Sequence, residues 1–214
     1  MSNEFGYIPE SPAQSFGNNK GIFTPTDIYD LTRAGKFTQY GQLELIQTQT
    51  VSGVSVVDFT SIEQTTYKVH FLTINDLDLS NDQENINVRF SNDSGSSFES
   101  SNYHFGHKRI LSSGTELSLG SSGQSQIEVT RLVGNATNET QNGYIYFYNL
   151  GQSNSYSFTS SQLSGMYYTF TLYTNYGGGS YTTSEIINAI RIKDSGSGGT
   201  FTGTFSLYGI KEYE

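Results

Sequence analysis

The chain has 214 residues, including 23 Gly, 16 Tyr and 14 Phe, and only 14% of its side chains are charged, against about 25% in an average soluble domain. A net charge of −9 argues against wrapping nucleic acid or an anionic membrane, since both need a basic footprint. Cysteine is absent, which excludes disulfides and thiolate metal sites, and no apolar stretch approaches the ~18 residues that span a bilayer.

Residues 1–42 differ from the rest. They hold all 3 prolines and the one strong helix signal, Phe23 through Gly35. Thr24 suits the N-cap, Pro25 the first helical position, and Asp27 the capping-box acid. Phe23 and Ile28 are spaced for a hydrophobic staple, and Gly35 for a left-handed stop. Upstream, Gly6 to Pro12 reads as extended and sticky. A helix of roughly ten residues is marginal alone, so the region needs a surface to dock on. It either packs on its own domain or serves as an arm that attaches to another subunit. The arm reading is preferred, with Phe5, Tyr7, Ile8, Phe16, Ile22, Phe23, Ile28 and Leu31 as its contact residues. Met1 to Glu10 shows no basic segment followed by an apolar run, so synthesis in a host cytoplasm without a signal peptide is expected.

Residues 43–214 read as strand throughout. Leu43–Val51, Val54–Phe59, Tyr67–Ile74, Ile86–Phe90, Tyr103–Ile110, Ile127–Val133, Tyr144–Asn149, Tyr156–Phe158, Met166–Tyr173, Ile186–Ile192 and Phe201–Ile210 are β-rich and separated by Gly, Ser and Asn turns. Ile86, Val88 and Phe90 alternate with Asn87 and Arg89, predicting the first set inward and the second outward. The glycine runs at 177–179 and 196–199 read as hairpin loops. The class that follows is all-β, an antiparallel β-sandwich of jelly-roll-like arrangement, carrying a short N-terminal arm with one small helix.

The motifs of this region carry a resemblance. Leu45-Ile46-Gln47-Thr48-Gln49-Thr50-Val51-Ser52 followed by Val57-Asp58-Phe59-Thr60-Ser61-Ile62 resembles the opening of a domain common in tailed-bacteriophage virion proteins. Val88 to Phe98 resembles that family's "RFS-D-G-SF" hairpin. Gly134 to Glu139, Ile187 to Ile192 and Gly203 to Lys211 fit its later segments, and Lys20 to Phe37 is similar to a leader on structural proteins of phages of aquatic bacteria. The resemblance implies a tail fibre, collar or head-decoration protein of the virion. Family members often carry Trp near the first strand; this chain has none, so Tyr or Phe would make that contact.

Catalytic and metal chemistry find little support. His104 and His107 lie at i and i+3 on opposite faces of a strand, with no adjacent Glu, so surface or interface histidines are expected. Asp76, Asp78, Ser80 and Asp82 would share a face if extended, but the EF-hand glycine is missing and a solvated loop is preferred. No nucleophile elbow precedes a helix, and Asp58, Glu63, Glu128 and Glu139 show no local reason to converge as a glycosidase pair. Asn135-Ala136-Thr137 and Asn138-Glu139-Thr140 are glycosylation sequons, read here as turns. No cofactor, no metal and no enzymatic activity are expected.

The remaining signal is aromatic. Tyr144, Tyr146 and Tyr148 share one strand face, opposite Ile145 and Phe147, so a tyrosine row should point away from the core. Its expected role is a subunit interface, and the alternative is host-glycan recognition at a receptor-binding tip. The expectation is therefore a non-enzymatic virion component. It would bind tail or head proteins through residues 1–42 and self-associate through residues 43–214, a homotrimer being the preferred state.

Overall fold

The computed structural model describes residues 24–34, 42–195 and 198–212. The chain divides into two compact units, residues 1–42 and 43–214.

In the first unit, helix α1 spans Pro25–Arg33. Thr24 caps it: its backbone N–H donates to Asp27 Oδ2 at 2.8 Å, and the Asp27 N–H donates to Thr24 Oγ1 at 3.2 Å. The Thr24 hydroxyl, donating to Asp27 Oδ2 at 2.5 Å, and the Thr24 N–H hold the Asp27 carboxyl below its ordinary range, the acid expected at a helix N-terminus. The helix ends on Ala34 in right-handed conformation. Among the predicted contact residues, Ile28 is exposed and Leu31 half-buried; α1 has no buried residue. Phe5, Tyr7, Ile8, Phe16, Ile22 and Phe23, and the predicted Gly35 stop, lie outside the described residues.

The second unit is all-β and antiparallel. Its strands are β1 (Leu43–Val54), β2 (Val56–Phe59), β3 (Val69–Leu79), β4 (Glu84–Ser91), β5 (Tyr103–Leu111), β6 (Glu116–Gln124), β7 (Ile127–Val133), β8 (Gln141–Tyr148), β9 (Ser157–Tyr167), β10 (Thr171–Tyr181), β11 (Ala189–Lys193) and β12 (Phe201–Ile210). One layer runs β1-β12-β3-β8-β9-β10-β5-β6, the other β7-β4-β11-β2, and a single bridge, Val133 to Tyr167, joins them. Set aside the hairpins β5–β6 and β9–β10 and the remaining strands, numbered in order, pair as 1-8-3-6 and 2-7-4-5. That is the strand order of a jelly roll. The two hairpins are insertions, and both extend the same layer beyond β8.

The alternation read from sequence explains the core. Leu72 and Ile74 of β3, Ile86, Val88 and Phe90 of β4, Ile145 and Phe147 of β8 and Phe205 and Leu207 of β12 are fully buried between the layers. Phe90 lies 6.0 Å from Tyr103 and 6.1 Å from Phe147, ring centre to ring centre, and Tyr103 accepts a hydrogen bond from the Phe90 N–H at 2.8 Å. Burial drives the Tyr103 phenol up.

Two readings of the sequence are corrected, and one strand, β6, was not read from it. Glycines 177–179 lie inside β10, where Gly177 and Gly179 face inward; a Cβ on Gly179 would sit 2.5 Å from Ile127 Cγ2. The absent side chains let β7 approach the sheet. Met166–Tyr173 is not one strand: it holds the end of β9, a turn at residues 168–170 and the start of β10, with Phe170 at φ 59° and 75% exposed at the tip. β6 is a strand with a Ser- and Gly-rich sequence that carries almost no apolar alternation.

Candidate functional site

The tyrosine row sits where alternation put it. Ile145 and Phe147 are buried, and Tyr144, Tyr146 and Tyr148 lie half-buried on the outer face of the large layer. The register extends this face across five strands. Leu43, Ile210, Val69, Tyr148 and Phe158 form one cross-strand row. Leu45, Tyr208, Phe71 and Tyr146 form the next. At about 4.8 Å per strand the first row is roughly 19 Å wide. Phe71 and Tyr146 are 4.7 Å apart, and Tyr146 and Tyr148 stack at 6.2 Å with 21° between ring planes. The Tyr144 hydroxyl donates to Gln162 at 3.2 Å and the Tyr148 hydroxyl bonds Ser160 at 3.0 Å. Two of the three hydroxyls are therefore tied to β9, so the row presents mainly ring surface. Leu43 and Leu45 continue the strip to the β1 edge, 49% and 59% exposed.

A second site was not legible in the sequence. A cleft of about 280 Å³ opens between the inner face of the β5–β6 hairpin and the β4–β7 pair. Asn87, Phe105, Gln124, Gln126, Glu128 and Arg131 are among its walls. Asn87 was expected to face outward into solvent, yet it is 1% exposed. The hairpin overhangs it, and no local pattern predicts that.

Behind the cleft a polar network fixes Glu128. Asn175 donates Nδ2 to the Val129 carbonyl at 2.5 Å, which turns its Oδ1 to His107 Nδ1 at 2.8 Å. That ring nitrogen therefore donates. His107 Nε2 faces Glu128 Oε1 at 3.1 Å. Both ring nitrogens thus meet oxygens, Asn175 on one side and Glu128 on the other. Arg131 pairs with the same carboxylate, a terminal nitrogen donating to Oε2 at 2.9 Å with Nε 2.9 Å from Oε1, and Asn85 donates to Oε2 at 3.0 Å. Burial opposes the charge of Glu128, but the bonds from His107 and Arg131 outweigh it and hold the carboxyl below its ordinary range. Phe105 stacks on the His107 ring at 5.7 Å, 22° from parallel.

The other singled-out residues are dispersed. Asp58 pairs with Arg191, two bonds of 2.7 Å, and Glu139 closes the 136–139 turn through the Ala136 N–H at 2.9 Å. His104 is on the outer face while His107 points in, as their spacing required, but the expectation of a surface histidine without a neighbouring Glu fails for His107, which is buried against Glu128. Of the acidic stretch, Asp76 and Asp78 belong to β3 rather than to a loop, and Glu84 is buried against Ser195. Among the described residues no group of three or more His, Asp or Glu side chains is placed to hold a metal ion, and no helix is long and apolar enough to cross a membrane.

Fold and site together define an all-β jelly-roll protein with an outer aromatic face and a polar cleft under an inserted hairpin. No family model, curated protein or solved structure matches the chain.

Proposed function

We propose that the chain is a structural component of a tailed-phage virion, a tail fibre, collar or decoration protein. Residues 1–42 attach it to a tail or head protein, and the jelly roll projects and self-associates, with a homotrimer as the preferred state. The motif resemblance supplies the virion context. The self-association rests on one observation: the apolar strip across five strands, with its exposed leucines at the edge strand β1. An outer sheet face of this kind is the surface a partner subunit covers, since rings with a polar tip are enriched at interfaces. The tethered hydroxyls of Tyr144 and Tyr148 favour protein contact there over a sugar platform. Its role in the particle is binding, without turnover.

Two measurements test the reading. Light scattering on the full chain should give an oligomer that Leu45→Lys with Tyr146→Glu reduces to monomer. Mass spectrometry and cryo-electron microscopy of purified particles should find the chain on tail or shell. A wild-type monomer, or its absence from particles, overturns the proposal.

A further inference from the structure

We infer that the cleft beneath the β5–β6 hairpin binds a single neutral sugar ring of a glycan, recognised through its hydroxyl groups. The inference is independent of the virion reading and concerns a different surface from the tyrosine row.

The hydrogen-bonding inventory of the walls carries it. Asn87 donates Nδ2 to the Asn85 carbonyl at 3.3 Å, and its Oδ1 accepts no bond among the described residues although the residue is 1% exposed. Gln124 donates Nε2 to the Ser122 carbonyl at 3.1 Å, leaving its Oε1 to accept. Gln126 accepts from Lys193 at 3.5 Å, leaving its Nε2 to donate. Arg131 donates one terminal nitrogen, Nη2, to Glu128, leaving the other terminal nitrogen to donate. The cleft thus offers two acceptors and two donors. An anion requires donors and a cation requires acceptors; a set of hydroxyls, each donating and accepting, matches both.

Charge and shape agree. Glu128 and Arg131 neutralise one another, so the walls favour a neutral ligand. Phe105 supplies an apolar wall for the C–H face of a ring, held by its stack on His107. At about 280 Å³ the cleft lies just below the ~300 Å³ at which pockets for drug-sized ligands begin, a size for one ring. Cleavage of the sugar is not part of the inference. Glycoside hydrolysis uses two carboxylates, whereas among the described residues Glu128 is the one carboxylate lining this cleft, and its oxygens already meet His107, Asn85 and Arg131.

The test is saturation-transfer NMR on the full chain with D-glucose, D-galactose and N-acetyl-D-glucosamine, each as a separate probe. At least one should show transfer, with a Kd in the millimolar range. Gln124→Ala with Gln126→Ala, both on the cleft rim, should weaken it about tenfold, the effect of two lost hydrogen bonds to a hydroxyl ligand. Tyr146→Ala with Tyr148→Ala should bind as wild type does. Thermal unfolding of each variant confirms that it is folded. No transfer from any of the three sugars, unchanged binding in the glutamine variant, or lost binding in the folded tyrosine variant overturns the inference. Each result is separable from the oligomer and particle measurements above.

Discussion

The ring of Tyr67 lies across the backbone of Gly209, so close that a Cβ on Gly209 would sit 2.2 Å from Tyr67 Cγ. The Tyr67 hydroxyl then donates to Glu44 Oε2 at 2.6 Å, while Lys211 reaches Glu44 Oε1 at 2.8 Å. The carboxylate, and behind it burial, push the phenol up to about 12; the Lys211 and Tyr67 bonds hold Glu44 below its ordinary value. One ring thus ties the segment before β3 to β1 and β12. Gly209→Ala is expected to destabilise the fold by about 1–3 kcal/mol through overpacking. Tyr67→Ala should cost less in the Gly209→Ala background than in wild type, because the clash is then gone. Urea unfolding of the four-member cycle measures both.

Glycines inside the inserted hairpins make opposite predictions. Gly179→Val forces two methyl groups toward Ile127 and the His104 carbonyl and should cost about 3 kcal/mol or more. Gly106→Ser points outward, where the nearest heavy atom to a new Cβ is 4.0 Å away, and should change stability by no more than about 0.5 kcal/mol. Thermal unfolding of the two variants checks the contrast.

His70 introduces a pH dependence. It is fully buried, donates Nε2–H to the Ile62 carbonyl at 2.7 Å, and its Nδ1 meets no partner among the described residues. Burial lowers its pKa, the carbonyl bond only partly opposing this. A lowered folded-state pKa means that the unfolded chain binds the proton more readily. The stability is therefore complete above the ordinary value of 6.5 and is lost as pH falls from there through the folded pKa. His70→Gln retains a donor for Ile62 and removes the titration. The stability difference between wild type and His70→Gln should shift against wild type between about pH 7.5 and 5.5. A parallel pair of stability curves would contradict it.

Arg191 joins the β2–β11 edge by a fork onto Asp58 and lies 3.9 Å over the Phe98 ring. The fork raises the guanidinium pKa still further. Lysine keeps the charge but loses the second bond and the flat stack, so Arg191→Lys should cost about 1 kcal/mol. Denaturant midpoints for Arg191→Lys and Phe98→Leu, with their double variant, resolve the coupling.

Among the described residues the buried core runs from Val57 to Leu207, with Ile46, Val51 and Val54 of β1 packed against it. Residues 43–214 expressed alone should therefore unfold cooperatively. Circular dichroism and calorimetry check this, and particle incorporation of the fragment should fail if residues 1–42 are the attachment segment.

Much of the sandwich was legible because burial and sequence share a period. Ile86, Val88 and Phe90, or Ile145 and Phe147, alternate with less apolar neighbours, and the pleat sends them to the core. The α1 cap was legible for a similar reason: Thr24, Pro25 and Asp27 act within one turn. The hairpin insertions were not. β6 is mostly Ser and Gly, and the glycine run of β10 signals a loop by composition. What makes each a strand is pairing with distant neighbours, Gly178 with Gly106 and Gly106 with Gly120.

By itself, then, the order of residues determined the β class, the core faces of the clearest strands, the outward tyrosine row and the helix with its cap, all of which follow from contacts a few residues apart. The tertiary structure alone decided the jelly-roll strand order, the placing of both insertions in one layer, and the cleft. Asn87, Phe105, Gln124 and Glu128 are far enough apart in the chain that no local period relates them. They meet because β5 and β6 extend past the edge of β7, a consequence of which strands pair rather than of what any one strand contains.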